Sequence, residues 1–210
     1  MWHWASRPPC PHPAGIAFLE NSLPHTPLIN VPFYRRRLPH EQPKETSLFL
    51  TWNLRGSLPY HRFFPPGAPS AGKAFVSMDR CLDEARAGPT WLKRPEIAQI
   101  TVDALRYGSE TLCYYDLHAY VVMPNHVHAL VSPWAAPTRL LQAIKWFSAR
   151  EANKVLARFG EPFWQSESYD CWVRGPVEFE RTRRYIEENP VRVGLAAKAE
   201  DYSPSSAFQG

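Results

Sequence analysis

The 210-residue sequence has no apolar run near the roughly 20 residues that a bilayer-spanning helix needs. Its first residues lack the charged-then-apolar order of a secretion signal. A soluble, cytoplasmic protein without a membrane partner is the expectation. The four cysteines, Cys10, Cys81, Cys113 and Cys171, form no C-x-x-C pair. That excludes a small disulfide-stapled scaffold and fits a reducing compartment. No internal repeat is visible, and neither sign of charge dominates: 24 Lys and Arg face 20 Asp and Glu, for a net +4 and a pI near 8.9. Such a balance is compatible with a polyanionic partner without requiring one.

What is present suffices for one domain with a sizeable core. Residues 1–32 are rich in proline, show neither helical nor strand periodicity, and read as an extension without a fold of its own. Residues 33–40, FYRRRLPH, follow. Arg35, Arg36 and Arg37 there are either a solvated charge run or a phosphate clamp, for which guanidinium forks suit the geometry.

Periodicity then lays out the folded part. Residues 47–52, SLFLTW, predict a strand. Apolar residues at helical spacing predict helices over 73–87 and 95–108, the second with Gly108 as its C-cap. Residues 112–122 and 126–131 predict two strands joined by Met-Pro-Asn, forming the centre of an antiparallel sheet. A long helix is expected over 138–159, an extended aromatic segment over 163–174, and a last helix from Pro176 to Asn189, where Pro190 disfavours continuation. The order describes an α+β protein, with helices packed on a mostly antiparallel sheet.

The stretch AYVVMPNHVHALV carries the first chemical signal. On a strand, residues two apart share a face, so His126 and His128 point together while Val127 turns into the core. Alone, such a pair is more often packed than metal-bound.

In RRYIEENP, Tyr185 and Asn189 lie four apart, on one helix face. An amide oxygen from Asn189 would complete a three-ligand open site for Mg²⁺ or Mn²⁺. Tyr185 would then stand beside a polarised phosphodiester as an in-line nucleophile. Singly, Tyr185 also reads as an ordinary amphipathic-helix aromatic, and Asn189 as a helix end before proline.

Taken in order, RRRLPH, LTWNLRGSLP, AYVVMPNHVHALV, IKWFSARE, FWQSESYDCWVR and YIEENPVRVGLAAKAEDY resemble the REP-associated tyrosine transposases. These are a branch of the single-tyrosine HUH transposases, related to insertion-sequence enzymes that act on single-stranded DNA. The resemblance spans residues 33–207 and implies a ferredoxin-like or RRM-like antiparallel sheet, here expected with helices on one face; the tail from about 191 is expected to be mobile. It implies metal roles for His126 and His128, the nucleophile role for Tyr185 and the third-ligand role for Asn189.

The activity implied is nicking and rejoining of single-stranded DNA at palindromic, REP-like hairpins through a 5′-phosphotyrosine, by a monomer in preference to a homodimer. Arg35, Arg36, Arg37, Lys145, Arg150, Arg174, Arg183 and Arg184 are the basic candidates for the DNA backbone. The chain departs from the family pattern at Cys171, where a histidine is usual, and at Ser203-Pro204, where Pro-Trp is common. A DNA-hairpin binder with impaired catalysis is the competing expectation that Cys171 raises.

Overall fold

The first strand, β1 (Ser47–Asn53), is buried along its whole length, so its alternating side chains need apolar cover on both faces of a sheet. Leu48, Leu50 and Trp52 enter one core cluster and Phe49 enters a second. The computed structural model describes residues 46–58, 71–85 and 87–209, all within the unit Lys44–Gly210. Arg35, Arg36, Arg37 and the extension 1–32 lie outside the described residues.

After β1 come α1 (Ala71–Asp83), α2 (Pro95–Glu110), β2 (Tyr115–Val122), β3 (His126–Pro133), α3 (Pro137–Val155), β4 (Tyr169–Val173) and α4 (Gly175–Arg192). The strands pair antiparallel in the order β2-β3-β1-β4. With α2 leading from β1 to β2 and α3 from β3 to β4, this is the ferredoxin-like β-α-β-β-α-β arrangement. The α+β expectation holds.

Its details shift in two ways. The hairpin of β2 and β3 is not the centre of the sheet. β1, buried on both sides, takes an inner place beside β3, and the aromatic segment supplies β4 as the edge, running from Ser47↔Val173 to Thr51↔Tyr169. Helices also cover both faces rather than one. α2 and α3 bury Ile97, Val102, Leu105, Leu140 and Ile144 around Trp52. On the opposite face Ile186 of α4 meets Ala119, Val121 and Leu130, with Phe75 of α1 packed beside them. Each such aliphatic side chain stabilises the fold by about 1.5–3 kcal/mol.

Helix ends differ for local reasons. α1 stops at Asp83, ahead of Ala85 at φ 45°, and α3 stops at Val155, ahead of Ala157 at φ 53°. α2 continues through Gly108 to Glu110, so Gly108 is no C-cap. A Cβ there would lie 2.5 Å from the hydroxyl of Tyr115, which donates to the carbonyl of Leu105 at 2.7 Å. Alanine normally improves a helix interior by up to about 1 kcal/mol. Gly108→Ala is expected instead to destabilise by about 1–3 kcal/mol through overpacking, measured by urea denaturation.

α4 passes Pro190 and reaches Arg192. So near the C-terminus the missing N–H removes a single bond, and the carbonyls of Asn189 and Pro190 accept from the N–H groups of Val193 and Leu195 at 3.2 and 2.8 Å. The tail expected to be mobile lies along β2. Val122 N–H donates to the carbonyl of Pro204 at 2.8 Å, Ser206 N–H to that of Tyr120 at 2.9 Å, and the Tyr202 hydroxyl to that of Val122 at 3.0 Å. These bonds cover a sheet edge that would otherwise expose its backbone groups.

Candidate metal and nucleophile site

Strand alternation on β3 sends Val127 and Ala129 into the core shared with α2 and α3, and turns His126 and His128 to the opposite face. Both imidazoles are fully buried, with their Nε2 atoms 3.1 Å apart. Their Nδ1 atoms are held from behind, His126 by the side-chain oxygen of Asn125 and His128 by the hydroxyl of Thr51, each at 2.7 Å. Phe49 stacks on His128 with ring centroids 5.6 Å apart.

α1 brings two carboxylates to this pair. Phe75, Asp79, Leu82 and Asp83 share one helix face, which places Asp79 Oδ1 3.1 Å from His128 Nε2 and Asp83 Oδ1 3.8 Å from His126 Nε2. Asp79, His126 and His128 offer three ligand atoms within 4.8 Å of one another. Asp79 did not emerge from sequence reasoning. The available signal was an acid on the apolar stripe of an amphipathic helix, a position that usually demands a partner.

α4 closes the site. The Tyr185 hydroxyl donates to Asp79 Oδ2, and its ring lies 5.8 Å from that of His128 and 6.1 Å from that of Phe49. About two turns later Arg192 sets its guanidinium 4.9 Å from the Tyr185 ring centre. Its Nη2 donates to Asp79 and Asp83 at 3.1 and 2.9 Å and reaches the Tyr185 oxygen at 3.3 Å. The continuation of α4 past Pro190 is what delivers this arginine.

Charge in the cluster is strongly redistributed. Burial raises the Asp79 pKa, but His128, the Tyr185 hydroxyl and the charge of His126 outweigh it and hold the carboxyl well below its ordinary range. Asp83 moves the other way, up to about 6, through burial and the neighbouring charge of Asp79. Burial, then the charge of His128, keeps His126 neutral well below the usual imidazole range. Burial and Asp79 push the Tyr185 phenol far above its ordinary value. Neutral imidazole beside ionised carboxylate is the protonation state that a cation requires of its ligands.

Asn189 sits on the same face of α4 as Tyr185, completely buried, and neither its Oδ1 nor its Nδ2 has a hydrogen-bond partner among the described residues. A buried amide without partners costs about 1–3 kcal/mol. A donor set of two imidazoles, a carboxylate and an uncommitted amide oxygen is chemically fit for a divalent ion.

The basic candidates separate. Lys145 donates to the carbonyls of Gln165, Ser166 and Glu167 at 3.0, 3.2 and 3.2 Å, and burial draws its pKa down to about 8. All three of its donors serve the loop before β4. Lys145→Met is therefore expected to lower stability by about 1–3 kcal/mol in chemical denaturation while leaving DNA affinity within about twofold. Arg183 is paired with Glu180 and Glu187 at 2.9 and 2.6 Å. Arg150 meets Glu151 at 2.9 Å and lies over Trp146, whereas Arg174 and Arg184 have exposed side chains. Cys171 is exposed on β4, paired with Phe49 and therefore on the face that carries the histidines. Tyr169 lies tilted against Phe75 with ring centroids 4.5 Å apart.

A family model for IS200-like transposases matches residues 106–189. That span contains His126, His128, Tyr185 and Asn189 and leaves out Asp79. Among solved structures the chain is similar to a REP-associated tyrosine transposase bound to a REP hairpin, with 17% identity and a TM-score of 0.51 over 84% of this chain and 82% of that one. At this identity the likeness concerns the fold. A second similar structure, a candidate transposase from Deinococcus radiodurans R1, has 17% identity and a TM-score of 0.35 over 68% of this chain and 89% of that one. No curated protein matches the chain. The histidine pair and the tyrosine helix both lie inside the span over which the chain is similar to the IS200-like transposases.

Proposed function

We propose that the protein is a metal-dependent strand transferase that nicks and rejoins single-stranded DNA at palindromic hairpins through a 5′-phosphotyrosine at Tyr185. One observation carries this reading: a single carboxylate, Asp79, touches His128 with one oxygen and accepts the Tyr185 hydroxyl with the other. Metal donors and nucleophile are thereby held in one cluster.

His126, His128 and Asp79 would hold Mg²⁺ or Mn²⁺, and the unpartnered amide oxygen of Asn189 supports a further ligand role for it. The imidazoles suit Mn²⁺ better than the harder Mg²⁺. A bound divalent ion supplies polarisation of a non-bridging phosphate oxygen and stabilises charge at phosphorus. Asp79 Oδ2 accepts the hydrogen bond of the Tyr185 hydroxyl and so orients its oxygen, and the phenolic proton passes to solvent as that oxygen attacks. The Tyr185 oxygen then forms a bond to phosphorus as the bond to the departing 3′-oxygen breaks, leaving a free 3′-hydroxyl and a 5′-phosphotyrosine. Arg192, in contact with the Tyr185 oxygen, favours the phenolate. The phosphotyrosine conserves the ester, so attack by a 3′-hydroxyl restores the strand.

Arg150, Arg174 and Arg184, and Arg35, Arg36 and Arg37 outside the described residues, are the proposed phosphate contacts. The solved relative was bound to a REP hairpin, which supports a hairpin as substrate here. Incubating the purified protein with Mn²⁺ and a 5′- or 3′-labelled hairpin should give a covalent protein–DNA adduct that survives denaturing gels. Absence of any adduct across hairpin and flanking-sequence variants would sink the proposal.

A second reading, a hairpin binder with impaired catalysis, is favoured by one feature, Cys171 on the site face in place of the family's usual histidine. It requires hairpin binding that persists in EDTA and in Tyr185→Phe with no adduct under any metal.

A further inference from the structure

We propose that Asn125 is a positioning residue that locks His126 in the Nδ1–H tautomer, leaving Nε2 as a lone pair aimed at the site, while the same amide ties α1 to the strand. The inference deepens the metal-dependent reading above and rests on it for its functional meaning.

The orientation of the amide follows from its other bond. Asn125 Nδ2 donates to the carbonyl of Leu82 at 3.0 Å, and a carbonyl can only accept. The amide oxygen must therefore be the atom 2.7 Å from His126 Nδ1, and since that oxygen carries no proton, Nδ1 supplies it. Turning the amide over would set oxygen against the Leu82 carbonyl and N–H against an N–H. The backbone of Asn125 is held too, its carbonyl accepting from Leu54 N–H at 2.8 Å, while the carbonyl of His126 accepts from Met123 N–H at 2.8 Å. The residue is fully buried, so water does not compete for these bonds.

The remaining contacts agree. The 3.1 Å approach of the two Nε2 atoms needs one acceptor, and His126 provides it. His128 has no such lock from behind, because the Thr51 hydroxyl at its Nδ1 either donates or accepts; its Nε2 is the donor toward His126. The two histidines thus have different roles before any ligand arrives. Leu82 lies between Asp79 and Asp83 in the last turn of α1, and its carbonyl, which already accepts from Ala85 N–H at 3.1 Å, takes a second bond from Asn125. That bond ties the turn bearing the carboxylates to the strand bearing the imidazoles. The Asn of the Met-Pro-Asn turn is in this sense part of the site, behind the ligands rather than among them.

The test is long-range ¹H–¹⁵N correlation NMR of the metal-free, ¹⁵N-labelled full chain near neutral pH, with His126 identified by comparison with His126→Gln. The expected spectrum shows Nδ1 protonated and Nε2 unprotonated. Asn125→Asp, whose carboxylate still accepts from Nδ1, should keep this pattern; Asn125→Ala should lose it and bind Mn²⁺ about 10–100-fold more weakly. Wild-type His126 protonated at Nε2 overturns the proposal, as does an alanine variant that keeps both the tautomer and the Mn²⁺ affinity. If the alanine variant does not fold, the wild-type and Asn125→Asp spectra decide. A wild-type chain with the Nδ1–H pattern that fails to bind Mn²⁺ upholds the tautomer lock and overturns the metal reading instead.

Discussion

Tyr185→Phe is expected to abolish the covalent adduct with hairpin DNA, lowering strand cleavage by roughly 10⁴-fold or more, as loss of a nucleophile does elsewhere. The substitution removes one oxygen. The ring keeps its contacts with Phe49, Phe75 and His128, and Asp79 keeps its bond to Arg192. Fold and hairpin affinity should therefore stay close to those of the unaltered chain, which separates lost chemistry from lost structure. The readouts are adduct formation on a denaturing gel and hairpin binding by gel shift. Cleavage at an unaltered rate would show that another group attacks, and Tyr169 and Tyr202 would then be the phenols to test. Both are pushed to high pKa by burial, Tyr202 to about 12, and the Tyr202 hydroxyl already donates to a backbone carbonyl.

Removing both imidazoles should have an effect of similar size by a different route. His126→Gln combined with His128→Gln is expected to weaken Mn²⁺ binding by well over 100-fold in calorimetry, because even the groups behind metal ligands are worth about 10–100-fold. Adduct formation should disappear with it. Glutamine limits the void left between Phe49, Thr51 and Asp79, so the fold is kept while the imidazole nitrogens are lost. Unchanged Mn²⁺ affinity would mean that the two rings are packing elements, as in a base-stacking RNA binder. That reading also requires aromatic side chains on an open sheet face, whereas α1 and α4 cover the face bearing the histidines.

How far the sequence reaches can be judged residue by residue. The two-residue period around Val127 sufficed to turn His126 and His128 to one side, and the four-residue step from Tyr185 to Asn189 sufficed to place both on one helix face. Those are local consequences of strand and helix geometry. Helix limits failed where the cause was not local. Gly108 reads as a stop signal, but Tyr115, packed against it, makes it an interior contact. Pro190 reads as a terminator, although so near a helix end it removes only one bond.

Asp79 shows the larger gap. Its partner Tyr185 lies 106 positions along the chain, and no spacing rule connects them. The edge role of β4, the docking of the tail on β2 and the approach of Arg192 to two carboxylates are of the same kind. Short-range periodicity decides what each segment is and which way its side chains face, because backbone geometry repeats over a few residues. Which faces meet depends on how buried area and paired charges are shared across the whole sheet. Only the folded chain turns two histidines and a distant tyrosine into one cluster, joined through an aspartate that no motif announced.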